Sequence, residues 1–243
     1  VGAVTGERSA ICAHDMPAAS GSVAVRVHGS SESPYAVPEE DIRHDAPVRN
    51  QSTTATVRKV ELILAASAEF ERVVRQLPVD SWDLPTPSQI SVRDLVEHVV
   101  VGNRFTSLLL GGVGREQARN MLTDDQLGDD PVAAVAESSR QQAEAFAAAP
   151  PEQPVPGPNG DVPAEAFLRF RLVDLVVHAW DLLRAAGLDE TLDPPVVAGL
   201  SRVVEPHLDD MLAFGAYGEG PSDTLPPDAS QQTRLLDWFG RRP

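Results

Sequence analysis

The segment that most constrains the fold runs Arg171-Leu172-Val173-Asp174-Leu175-Val176-Val177-His178-Ala179-Trp180-Asp181. Its spacing predicts a helix that is apolar on nearly every side, and such a helix belongs in the core of a helical assembly. One stripe breaks the pattern. Arg171, Asp174, His178 and Asp181 recur every three or four residues and so share a face. A buried polar stripe is costly unless its members pair with one another or hold an ion. That cost places a candidate site on this helix.

Residues 1–53 read differently from the rest. Ser, Gly, Pro and Ala dominate with no sustained periodicity, so a disordered tail is expected there. From Thr54 onward the pattern is helical. Val57, Val60, Leu64, Phe70, Val74 and Leu77 predict a first helix that Pro78 ends. Ser91 is the expected N-cap of a second helix, with Asp94 as its capping partner. That helix reaches about Leu110 and turns Leu95, His98, Val99, Gly102, Phe105 and Leu109 inward.

A short helix is expected around Gln117–Leu122, and a third long one over 131–148, opened by Asp130-Pro131. Residues 150–158 read as a proline-rich connection and Asn159-Gly160-Asp161 as a turn. A fourth long helix should span Pro163 to Ala186, capped by Gly187, and a fifth Pro195 to about Ala213. A last short helix should carry Leu235, Leu236, Trp238 and Phe239. No segment alternates convincingly enough to be a strand. The expected architecture is all-α: a four-helix bundle over 54–190 with a C-terminal helical extension over 191–243.

Composition excludes some roles. The formal net charge is −16, which repels phosphate backbones and argues against nucleic acid as a partner. No apolar run approaches the ~20 residues of a membrane helix. No stretch near the start joins a basic flank to a long apolar core, so a cytoplasmic location is expected. A monomer or homodimer is expected. Cys12 is the sole cysteine and lies in the tail, which removes internal disulfides, cysteine metal clusters and a protein-borne thiol nucleophile.

His98 on one helix and Asp174 with His178 on another form a candidate metal set. Bundles build such sites from inward side chains of facing helices. Two imidazoles and one carboxylate leave coordination positions open, as in catalytic zinc sites. Nickel, iron or manganese would suit the same donors. Asp181, one turn beyond His178, could orient an imidazole through its free N–H or act as a general base. The plainer alternatives are a hydrogen-bonded core histidine at 98, a simple Asp174–His178 helix pair, and an Asp174 satisfied by Arg171.

The motifs add a resemblance. Trp82…Pro85-Thr86-Pro87 followed by Ser91-Val92-Arg93-Asp94-Leu95-Val96-Glu97-His98 resembles the first signature of the mycothiol-dependent maleylpyruvate isomerase N-terminal family, relatives of the DinB-like bundles. Asp161-Val162-Pro163-Ala164-Glu165, then Asp174-Leu175-Val176-Val177-His178-Ala179-Trp180-Asp181-Leu182, resembles the second. Pro226-Pro227-Asp228-Ala229 and Phe239-Gly240-Arg241-Arg242-Pro243 resemble the tail of a metal-binding subgroup.

The resemblance implies a DinB-like four-helix bundle holding one divalent ion, zinc first, on His98, Asp174 and His178. In the isomerase the acidic ligand is a glutamate; Asp174 is one methylene shorter. The implied chemistry is a transferase or isomerase reaction in which a thiol such as mycothiol, activated on the metal, attacks a small electrophilic substrate. Arg104 and Arg171 are the candidate anion contacts. The alternatives are a metal-dependent hydrolase using Asp181 as base and a non-catalytic metal- or ligand-binding bundle.

Overall fold

A computed structural model describes residues 49–157, 160–213, 220–222 and 224–243, with side chains from residue 59 onward. Residues 1–48, most of the expected tail, lie outside the described residues. The long helices are α1 (Arg49–Gln76), α2 (Val92–Leu110), α4 (Pro131–Ala148) and α5 (Ala164–Ala185), with the short α3 (Arg115–Asn120) between α2 and α4. α1 begins five residues before the expected start of the domain.

The helix boundaries follow local chemistry. The Ser91 hydroxyl accepts from the Asp94 backbone N–H at 3.1 Å and donates to the Asp94 carboxylate at 2.7 Å. At α4 the Asp130 carboxylate accepts from the Ala133 N–H, and Pro131 takes the first helical position, where no amide donor is needed. Gly187 follows α5 at φ +64°, a left-handed turn that closes the helix.

α5 is the axis of the bundle. Leu168, Leu172, Val173, Leu175, Val176, Val177, Ala179, Trp180, Leu182 and Leu183 are all buried, as its near-uniform apolarity requires. It packs on α1 and α2, and α4 closes the bundle against α1 and α2. Ile63, Ala66, Phe70 and Val73 of α1 and Leu95, Val99 and Phe105 of α2 fill the space between them. Among the described residues, no helix is long and apolar enough to cross a membrane.

Two segments differ from expectation. The proline-rich connection is an antiparallel hairpin, β1 (Pro154–Gly157) with β2 (Gly160–Pro163), pairing Val155 with Val162 and Gly157 with Gly160. Prolines at 154, 156 and 163 hide the strand signal because they cannot donate to a ladder. Burial of Val155 against the core fixes the hairpin nonetheless.

The expected fifth helix is divided into α6 (Pro194–Val204), a 3-10 turn over Glu205–His207 and α7 (Leu208–Leu212). Pro206 causes the break: it has no N–H, and its ring crowds the carbonyl one turn back. α8 (Gln231–Trp238) then packs on α6, and Phe239 just beyond it is fully buried.

Candidate metal centre

α2 and α5 bring His98 and His178 together. Their ring centroids lie 5.3 Å apart, edge to face at 87°. Asp174 sits one turn before His178, with its Oδ1 4.0 Å from His178 Nε2. One donor atom from each of His98, Asp174 and His178 lies within 4.8 Å of the other two. Donors sharing an ion at ~2.0–2.2 Å sit roughly 3–4 Å apart. The cluster would therefore contract by up to roughly 1–2 Å to close on a divalent ion, and imidazole-nitrogen and carboxylate donors suit one. The three sequence-predicted ligands converge.

Asp181 lies against the other ring nitrogen of His178. It is fully buried, and its Oδ2 lies 3.0 Å from His178 Nδ1. Burial by itself would raise its pKa. Hydrogen bonds from Arg241 and His178 outweigh that and hold it at about 2, below the ordinary 3.8. An ionised carboxylate only accepts, so Nδ1 carries the hydrogen toward Asp181, and Nε2 lies on the side of Asp174 Oδ1. The same burial and low pKa are against the expectation of Asp181 as a general base, which needs a proton affinity near the working pH.

Arg171 occupies a different place from the expected substrate contact. It is 3% exposed and donates Nε to Gln142 at 2.9 Å, Nη2 to Asn103 at 2.9 Å and Nη1 to Asp174 Oδ2 at 2.5 Å. It thus joins α5 to α4 and α2. Gly102 makes room for it: a Cβ there would lie 2.5 Å from Nη1 and 2.8 Å from Cζ. With Oδ2 of Asp174 taken by Arg171, Oδ1 is the oxygen on the side of His178.

Arg104, the other expected anion contact, gives Nη1 to the backbone oxygen and Oε1 of Gln126. Its bonds include none to His98, Asp174 or His178. Glu97, next to His98 in the sequence, accepts from the Gln126 N–H at 3.1 Å.

Two contributors escaped the sequence reading as site residues. Arg241 donates Nε to Asp181 Oδ1 at 2.8 Å and Nη2 to Oδ2 at 2.7 Å, and Ser88 Oγ donates to Oδ2 at 3.0 Å. Both are polar residues outside any periodic helix, and only the tail motif containing Arg241 carried a hint of it.

Comparison with known proteins gives a consistent picture. The family model for the mycothiol maleylpyruvate isomerase N-terminal domain matches residues 63–183. Two relatives, both uncharacterized proteins from Mycobacterium tuberculosis strains CDC 1551 / Oshkosh and ATCC 25618 / H37Rv, are each 33% identical over 138 residues. The alignment covers 53% of this chain and 68% of theirs. No solved structure matches the chain.

Proposed function

This chain belongs to the mycothiol maleylpyruvate isomerase N-terminal domain family, and from that premise we propose that it holds one divalent ion, zinc first, on His98, Asp174 and His178. We further propose that it uses the ion to activate a low-molecular-weight thiol such as mycothiol toward a small electrophile, in a transfer or an isomerisation. The observation that carries this reading is the convergence of three donor atoms within 4.8 Å from two helices.

When bound, the ion would lower the pKa of a coordinated thiol and make it a nucleophile near neutral pH. The chain's own residues prepare for an anion at that position. Asp174 and Asp181 are each matched by an arginine, Arg171 and Arg241, so the four charges cancel before any ion enters. With that cancellation, a divalent cation held by His98, Asp174 and His178 would make the centre net positive and would favour an anionic sulfur there. The sole cysteine, Cys12, lies outside the described residues; in the proposed reading the nucleophile is an external sulfur. Hydrolysis is the weaker reading because Asp181 is poorly suited to activate water.

Elemental analysis and cobalt substitution test the proposal. Wild type should bind about one ion per chain, and His98→Ala and His178→Ala should each lose it, since two ligands hold a divalent ion weakly. Adding mycothiol to the cobalt form should raise a sulfur-to-cobalt absorption band. A wild-type protein that stays empty after dialysis against zinc, nickel and manganese overturns the metal reading. Bound cobalt with no band overturns the thiol reading.

A further inference from the structure

The match to the family ends at residue 183, yet a group from far beyond it reaches the centre. After α8 the buried Phe239 anchors the chain, and Gly240 at φ +73° turns it. The Arg241 backbone N–H donates to the Leu236 carbonyl at 2.9 Å, which sets the start of its side chain. The guanidinium then grips both oxygens of Asp181. Its Nη2 also reaches Ser88 Oγ at 3.0 Å, and its Nη1 donates to the Phe239 carbonyl at 3.1 Å. At 16% side-chain exposure it is engaged inward.

We propose that Arg241 is a positioning residue for the metal centre, acting on His178 through Asp181, so that the 231–243 segment is part of the site. A two-pronged guanidinium fixes the plane of a carboxylate as a single donor cannot. With the plane fixed, Oδ2 stays in line with His178 Nδ1. The imidazole is then held with Nε2 on the side of Asp174 Oδ1, 4.0 Å away, in the ring pair with His98. Without Arg241, Ser88 and His178 both pull on Oδ2 alone, and the carboxylate is free to turn about its terminal bond. The inference of weaker metal binding rests on the proposed metal reading; the inference that Arg241 fixes His178 does not.

The test uses the full chain with Arg241→Ala, Arg241→Lys and, as a neighbour control, Arg242→Ala. Arg242 contacts Asp237 and the Gly220 carbonyl. In metal-free wild type, NMR should find a downfield, slowly exchanging His178 Nδ1 proton. Arg241→Ala should lose that signal and bind zinc roughly 10–100-fold more weakly, the range usual for partners that orient a ligand. Arg241→Lys should recover only part of both, and it carries the test if the alanine variant does not fold.

An Arg241→Ala protein that keeps the Nδ1 signal and binds zinc within twofold of wild type overturns the proposal. So does an Arg242→Ala protein that loses as much affinity as Arg241→Ala, because the effect would then be general loss of packing. If wild type binds no zinc, the metal reading falls, and the Nδ1 signal alone still decides whether Arg241 governs His178.

Discussion

At the scale of single residues the centre depends on one missing side chain. Gly102 lies in the middle of α2, where glycine costs about 1 kcal/mol relative to alanine. Its use is steric: the Arg171 guanidinium lies where a Cβ would have to be. Gly102→Ala should therefore destabilise the protein by about 1–3 kcal/mol through overpacking, despite the better helix propensity of alanine. Urea unfolding monitored by helicity measures it. Metal binding should weaken in the same variant, because a displaced Arg171 releases Asp174 Oδ2 and with it the orientation of Oδ1. A more stable Gly102→Ala protein would show that the guanidinium can leave at no cost.

Elements were legible wherever their signal was local. The Ser91 and Asp130 caps, the end of α2 near Leu110 and the buried girth of α5 follow from spacing and composition. So do the two faces that carry His98 and the Asp174–His178 pair, since each belongs to one continuous helix. The hairpin was not legible, because three prolines mask its strands, and Pro206 broke a helix whose apolar pattern runs past it. Arg241 and Ser88 were not legible as site residues because their contact with Asp181 spans 60 and 93 positions. Nothing local encodes such a pairing.

Between elements, Lys59, the only lysine, joins α1 to Glu165 in the first turn of α5. The hydrogen bond from Lys59 holds the Glu165 carboxyl below its ordinary 4.5. The folded state thus takes up this proton less readily than the unfolded chain. The stabilisation is full above 4.5 and is lost as pH falls through the depressed value. The pair is partly exposed, so about 0.2–1 kcal/mol is expected. Glu165→Gln should be less stable than wild type by that amount at pH 7, and the two urea curves should converge in acid. A constant gap across that range would mean the pair contributes nothing through charge.

For the whole molecule, the span of chain that builds the centre decides what can be removed. Every group that forms or holds it lies between Ser88 and Arg241. The bundle that encloses it begins with α1, whose Ile63, Ala66, Phe70 and Val73 are fully buried. A chain starting at Arg49 should therefore bind one ion with unchanged affinity and keep the same number of helical residues per molecule. Calorimetry should place its melting temperature within about 2–4 °C of the full chain, a shift worth roughly 1 kcal/mol in a protein of this size. A larger fall would mean that residues 1–48 stabilise the bundle. The shortened chain also lacks Cys12 and so has no cysteine at all. Any sulfur-to-cobalt band it shows on addition of mycothiol can come only from the added thiol. The same band in the full chain but not in the shortened one would assign the sulfur to Cys12 and remove the case for an external nucleophile.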